Sequence, residues 1–217
     1  MKGPGPNALA VMLKAPVAGF VKTRLSPPLT PRQAAGLYEC FIKDTFATAA
    51  SLEGVDLFAA CMGPGQRLKG LLPEGVAAFP QEGDGLGERM YNILKRLFSL
   101  GYGRVAIMGS DIPDLPETHI TAAFGLLEAG AGLVLGPVED GGYCLLAVDA
   151  PYETLFKGIR YSTPSVLAET LERARASSIG YRLLETWHDI DTFEDLQLLK
   201  ANPGAPESSR FVKGLLP

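Results

Sequence analysis

Starting at Ala8, short apolar runs alternate with stretches whose apolar residues recur every three or four positions. That alternation constrains the fold more than any other feature of the chain. The run Ala8–Leu13 has strand length and no polar face, so it fits a strand covered on both sides. Thr30-Pro31-Arg32-Gln33 then announces a helix. Thr30 is its cap, Pro31 suits the first helical position and Gln33 completes a capping box. The helix is predicted to reach Ala50, with Leu37 and Phe41 on its buried face.

The rhythm continues along the chain. Strands are predicted at Val55–Cys61, Gly75–Pro80, Val105–Gly109, Leu133–Val138, Tyr143–Val148 and Tyr181–Thr186. Helices are predicted over residues 86–100, around Ile120, Phe124 and Leu127, from Thr163-Pro164 onward, and finally over Thr192–Leu199. Residues 1–7 read as a loose start and residues 202–217 as a loose tail. No linker divides the 217 residues, so one domain is expected. The fold class is α/β: a three-layer α/β/α arrangement on a mostly parallel, mixed sheet. The pair flanking Glu139-Asp140-Gly141-Gly142 breaks the rhythm and is read as antiparallel.

Composition narrows the function. The chain is 47% hydrophobic and 20% charged, which suits a packed core. Its net charge of −4 argues against a generic nucleic-acid binder. Cys40, Cys61 and Cys144 lie far apart and form no C-x-x-C pair, so they are expected to be reduced and mostly buried thiols. Ala8–Leu13 is cut off by Lys14 and is too short for a secretion signal, and no stretch approaches a membrane span. A cytoplasmic location is the expectation.

In open α/β sheets, ligands sit beyond the C-terminal ends of the strands. The loop after the first strand carries Lys14, Lys22 and Arg24, with Gly19 for a tight backbone. Cations on a closely approaching backbone suit a di- or triphosphate. The same composition also suits an ordinary solvated loop. Neither a P-loop nor a G-x-G-x-x-G pattern is present.

Acids follow later strands. Asp111 ends the fourth strand between Ser110 and Ile112-Pro113, where one carboxylate can hold Mg²⁺ or Mn²⁺ together with phosphate oxygens. Asp114 is read as a turn or helix cap. After the last strand, Asp189 and Asp191 share a face, and either can supply a second metal ligand. The competing reading makes Asp191 or Thr192 the cap of the final helix. His119 and His188 are read as structural or exposed. The glycine-rich loop with Gln81, Gly83, Asp84, Gly85 and Leu86 lets a flat base or sugar approach the backbone. Glu139, Asp140, Gly141, Gly142 and Tyr143 either contact sugar hydroxyls or form a hairpin turn.

Five ordered stretches carry a resemblance. They are Lys14-Ala-Pro-Val-Ala-Gly-Phe-Val-Lys-Thr-Arg-Leu25, Gly83-Asp-Gly-Leu-Gly-Glu-Arg-Met90, Gly109-Ser-Asp-Ile-Pro-Asp-Leu115, Gly136-Pro-Val-Glu-Asp-Gly-Gly-Tyr143 and Asp189-Ile-Asp-Thr192. Together they resemble a bacterial and archaeal family of glycosyltransferase-A-type proteins of unknown function, provisionally termed nucleotide-diphospho-sugar transferases. More distantly they are similar to the nucleotidyltransferases that modify molybdopterin and phospholactate. The resemblance implies a nucleotide cradle at Lys14, Ala15, Pro16, Gly19, Lys22 and Arg24. It also implies base contacts at Gln81–Leu86, metal at Asp111 and acceptor contacts at Glu139–Tyr143.

Two departures matter. The metal turn reads Ser110-Asp111-Ile112, where many sugar transferases of this fold have Asp-x-Asp. The first loop has one glycine, where the nucleotidyltransferases have more. The expected function is metal-dependent transfer from a nucleotide-sugar to a small-molecule acceptor, with Lys22, Arg24 and Asp111 in catalytic roles. The alternatives are nucleotidyl transfer with pyrophosphate release and a nucleotide-binding module without chemistry. A glycosidase has no use for the cationic loop.

Overall fold

A computed structural model describes residues 6–215. Most of the loose start expected over residues 1–7 lies outside them. Asn7 already belongs to the first strand, β1 (Asn7–Lys14). The further strands are β2 (Val55–Met62), β3 (Ala77–Pro80), β4 (Arg104–Gly109), β5 (Leu133–Pro137), β6 (Tyr143–Val148) and β7 (Tyr181–Leu183). The helices are α1 (Pro31–Ala50), α2 (Leu86–Ser99), α3 (Glu117–Glu128), α4 (Val166–Ala176), α5 (Leu196–Leu199) and α6 (Pro206–Leu215).

The strands form one seven-stranded sheet in the order β3-β2-β1-β4-β6-β5-β7. β1 pairs in parallel with both β2 and β4. β6 alone runs antiparallel, to β4 on one side and β5 on the other. That reversal brings the start of β6 to the same edge as the C-terminal ends of β1, β2 and β4. The fold is therefore the expected α/β type, helices covering both faces of a mixed sheet.

The pleat of β1 shows how the core is divided. Leu9, Val11 and Leu13 face a cluster containing Phe41 of α1, Phe124 of α3 and Val212 of α6. Ala8 and Ala10 face the other cluster, with Ile93 and Leu97 of α2 and Ala174 of α4. Alternate residues point to opposite faces of a strand, so a strand buried on both faces must be apolar throughout. Among the described residues, no helix is long and apolar enough to cross a membrane.

Local rules succeed at α1. The Thr30 hydroxyl accepts from the Gln33 amide at 3.3 Å, and the Gln33 side chain accepts from the Thr30 amide at 2.9 Å. The same logic fails at Thr163-Pro164. There the Thr163 hydroxyl donates to the Arg160 carbonyl at 2.7 Å, and α4 starts only at Val166. The expected helix over Thr192–Leu199 shrinks to Leu196–Leu199. Its first residues form a turn in which the Asp195 carboxylate accepts from the amides of Asp191 and Thr192.

The loose tail expected from residue 202 is corrected too. Pro206–Leu215 is a helix docked on α1. Asp44, buried within α1, accepts from the amides of Glu207 and Ser208 at 3.0 and 2.8 Å and from the Ser208 hydroxyl at 2.6 Å. A carboxylate at a helix N-terminus satisfies free amides and meets the positive end of the dipole. Composition alone hid this, because the partner lies 164 residues away. Replacing Asp44 by Ala leaves one buried and one half-buried amide without acceptors, and the expected loss is about 3 kcal/mol of stability. Urea unfolding of Asp44→Ala measures it. An unchanged midpoint would show that α6 is not held by this contact.

Candidate active site

The parallel pairing of β1 and β4 sets Met12 opposite Gly109, so the loops after the two strands lie side by side. Tyr38 of α1 ties them together. Its hydroxyl accepts from the Lys14 amide at 3.1 Å and shares a 2.6 Å hydrogen bond with the Ser110 hydroxyl. These loops, the start of β6 and the segment after β7 enclose a cleft of about 800 Å³. That volume falls in the range of small-molecule and cofactor sites.

The central feature is Lys22. Its side chain is 4% exposed and its ammonium meets three oxygens: Asp111 Oδ1 at 2.7 Å, Asp191 Oδ1 at 2.9 Å and the Ile190 carbonyl at 2.7 Å. An ammonium has three protons, so none is left for a further acceptor. Burial pulls the Lys22 pKa down, but Asp111 and Asp191 outweigh it and hold the ammonium above its ordinary value. Phe41 lies beneath, its ring centroid 5.2 Å from the nitrogen. Lys22 itself adopts a left-handed backbone, φ 47° and ψ 42°. That conformation is unfavourable for a residue with a side chain.

Asp191 is free for this role because Thr192 makes the cap-type contact, its hydroxyl accepting from the Asp195 amide at 3.4 Å while the Asp195 carboxylate reaches back to the Thr192 amide at 2.7 Å. Arg24 reaches the second oxygen of Asp191 at 3.3 Å, and its own side chain is 75% exposed. Lys14 is exposed at the rim, and both residues line the cleft. The rest of the expected cradle does not line it. Ala15 and Pro16 are buried, and Gly19, with φ 84°, shapes the outer turn of the loop.

Asp189 and Asp191 both line the cleft, as strand alternation predicts. Burial, then Asp191, Asp111 and Asp140, push the Asp189 carboxyl up to about 7. Among the described residues, no group of three or more His, Cys, Asp or Glu side chains is arranged to hold a metal. Two carboxylates do converge on one point, where the Lys22 ammonium stands in for a cation. Asp111 and Asp191 are hard oxygen donors, the type that Mg²⁺ and Mn²⁺ prefer. The pair therefore fits a divalent ion.

The glycine-rich loop behaves differently from expectation. Arg89 donates to the Gly83 carbonyl at 2.9 Å and to the Asp84 carbonyl at 3.3 Å. Asn92 donates to the Glu82 carbonyl at 2.9 Å, and Glu88 accepts from the Asp84 amide at 2.9 Å. The Gln81 amide group bridges the Leu13 and Ala60 carbonyls at 3.2 and 2.9 Å. The loop is thus held by its own helix. Gln81 and Leu86 line the cleft, whereas Gly83, Asp84 and Gly85 do not.

In the expected acceptor stretch, Asp140 and Tyr143 line the cleft, and Glu139, Gly141 and Gly142 do not. The hairpin reading accounts for those three. Gly141 has φ 87°, and a Cβ there would stand 2.2 Å from the Pro164 carbonyl oxygen. Only glycine allows this approach, which seats the turn against residues 162–164. Ser162, Thr163 and Pro164 form a cleft wall that sequence reasoning missed. Ser162 has φ 63°, a conformation its residue type does not announce.

Asp114 caps no helix. It accepts from Trp187 Nε1 at 3.3 Å, from Asn202 Nδ2 at 2.9 Å, and pairs with His188 Nε2 at 3.0 Å. His188 is structural, as expected. His119 is as well, packed edge-on against Trp187 at 5.0 Å.

Solved structures share this fold. One, from Desulfovibrio desulfuricans and provisionally designated a nucleotide-diphospho-sugar transferase, is 29% identical. It covers 97% of this chain and 98% of its own with a TM-score of 0.86. CMP:2-keto-3-deoxy-manno-octonic acid synthetase, complexed with CTP, is 13% identical over 90% of this chain and 97% of its own, with a TM-score of 0.60. The Rv0371c protein of Mycobacterium tuberculosis, in complex with manganese, is 13% identical over 91% and 98%, with a TM-score of 0.57. A comparison with curated proteins gives no match. A family model matches residues 45–163, more than half of the chain, and the protein belongs to that family, the uncharacterized proteins conserved in bacteria called DUF2064.

Proposed function

We propose that the chain is a metal-dependent transferase that takes a nucleotide-diphosphate sugar as donor and passes the sugar to a small-molecule acceptor. The observation that carries this reading is the meeting of Asp111, Asp191 and Lys22 at one cation-sized point, inside a cleft large enough for a nucleotide. The likeness to the Desulfovibrio protein supports it. The three free cysteines suit a reducing compartment, and we place the protein in the cytoplasm.

Asp111 and Asp191 would hold Mg²⁺ or Mn²⁺. When bound, the metal supplies positive charge that stabilises the departing diphosphate. Arg24, already oriented by Asp191, offers its exposed guanidinium to phosphate oxygens in a two-pronged grip. Lys14 adds charge at the rim. Asp140 uses one oxygen to accept from the Gly142 amide at 2.8 Å. Its other oxygen would accept a sugar hydroxyl or take the acceptor's proton.

A second reading is favoured by one feature. The two carboxylates come from Asp111 and from Asp191, the turn after β4 and the segment after β7, and not from an Asp-x-Asp turn. The nucleotidyltransferases resembled in sequence share this Gly-x-Asp-x-Pro and Asp-Ile-Asp-Thr layout. Under that reading a phosphorylated acceptor attacks the α-phosphoryl in line, and pyrophosphate leaves. Incubation with a panel of nucleotide-sugars and nucleoside triphosphates decides between them. Nucleoside diphosphate release supports sugar transfer, and pyrophosphate release supports nucleotidyl transfer. Turnover of no donor in either panel would sink both.

Under either reading, Asp111→Asn is expected to lower kcat by about 10² or more. Binding of metal-free nucleotide stays near wild type. Steady-state kinetics and calorimetric titration of the folded variant check this, and a variant of wild-type kcat would remove Asp111 from the chemistry.

The carboxyl of Asp189 adds a pH dependence. Its folded value of about 7 lies above the unfolded 3.8, so between those limits the folded chain holds a proton that the unfolded chain has lost. The stability this group contributes is fully present below 3.8 and is lost as pH rises to about 7. Metal-free wild type should therefore lose stability relative to Asp189→Asn across that window, as read from urea unfolding at several pH values. Parallel curves for the two proteins would contradict the assignment.

A further inference from the structure

The Lys22 ammonium sits where a metal on Asp111 and Asp191 would sit. Its nitrogen lies 2.7 and 2.9 Å from the same pair of carboxylate oxygens. Resting on the proposed metal-dependent reading, we infer that Lys22 is an internal placeholder cation: it closes the metal seat in the free protein and must swing out before the metal enters.

Three observations support the inference. All three ammonium protons are engaged, the third on the Ile190 carbonyl at 2.7 Å, so Lys22 as seen here has none to give a phosphate. Its side chain is 4% exposed, so an incoming diphosphate does not reach it without movement. The ammonium already lies 2.7 and 2.9 Å from the two oxygens a metal would use, and a second cation at the same oxygens would be strongly repelled by it.

The loop is built for such a movement. Lys22 is held in a left-handed conformation, and strain of this kind persists only where surrounding contacts enforce it. Beyond the side-chain contacts of Lys22, the middle of the loop is anchored by buried Val21 and by short-range hydrogen bonds, Val17 to Ala15 and Phe20 to Val17. Gly19, at φ 84°, turns the chain in uncrowded space next to an exposed Phe20. Once released, the ammonium lies on the loop that also carries Arg24, close to where the donor's phosphates would lie. The metal and the diphosphate then assist each other's binding. The metal displaces Lys22, and the phosphates give the displaced ammonium a new partner.

Competition of this kind lowers the apparent affinity for metal by the fraction of time the seat is free. A seat free about a tenth of the time weakens metal binding about tenfold. The test is Mn²⁺ alone, titrated by electron paramagnetic resonance into wild type and into Lys22→Met, which keeps length and removes charge. The variant should bind Mn²⁺ about tenfold tighter than wild type. A second measurement uses wild type only. Acetylation of Lys22, followed by mass spectrometry, should be slow in the free protein and several-fold faster with saturating Mn²⁺.

Equal or weaker Mn²⁺ binding by a folded Lys22→Met overturns the inference while leaving the metal reading intact. So does a Lys22 whose labelling does not respond to bound Mn²⁺. This second result stands even if the variant fails to fold. Mn²⁺ binding by neither protein overturns the metal reading itself, and the inference falls with it.

Discussion

One buried ammonium joins three distant parts of the chain. Lys22 comes from the crossover after β1, Asp111 from the turn after β4, and Asp191 from the segment following β7. Two carboxylates brought this close repel each other, and burying a lysine without partners is costly. Each group is tolerable only because the others are present. The arrangement therefore demands that β1 lie beside β4 and that the chain return from the far edge of the sheet to the same end. The sheet order meets both demands. The site and the topology are two views of one electrostatic constraint.

The parts of this picture that depend on neighbours in sequence were legible beforehand. The strand and helix alternation, the capping box at Thr30–Gln33 and the antiparallel β5–β6 hairpin follow from local pattern. So does the shared face of Asp189 and Asp191. The convergence of Lys22 on Asp111 was expected from the rule that ligands gather at strand ends. The form of that convergence was not. The composition of the loop suits a lysine offered to phosphate, and the lysine is turned inward onto carboxylates.

What sequence concealed depends on partners far along the chain or on backbone angles that residue type does not announce. Residues 202–217 looked like a tail until Asp44 supplied the acceptors for α6. Thr163 looked like a cap and instead bonds backward to Arg160. Gly83, Asp84 and Gly85 looked like an open platform for a base. The carbonyls of Gly83 and Asp84 are in fact held by Arg89. In each case a residue had two chemically reasonable uses; a long-range contact chose for Asp44, the next helix for the Gly83 and Asp84 carbonyls, and a carbonyl three residues back for Thr163.

Asp114 shows the same economy on the other face of the site. It stands three residues after Asp111, with its side chain buried behind the cleft. There it gathers Trp187, His188 and Asn202, which bracket Asp189 and Asp191 in sequence. Alternation does the rest. When His188 is drawn back to Asp114 and Ile190 enters the core, Asp189 and Asp191 must project forward into the cleft. The Ile190 amide, bonded to the Asp111 carbonyl at 3.1 Å, locks the two segments together at this point. One short turn thus carries one carboxylate that faces the cleft and another that fixes the aim of its partner. This backing fixes the segment that carries Asp191 beside the turn that carries Asp111.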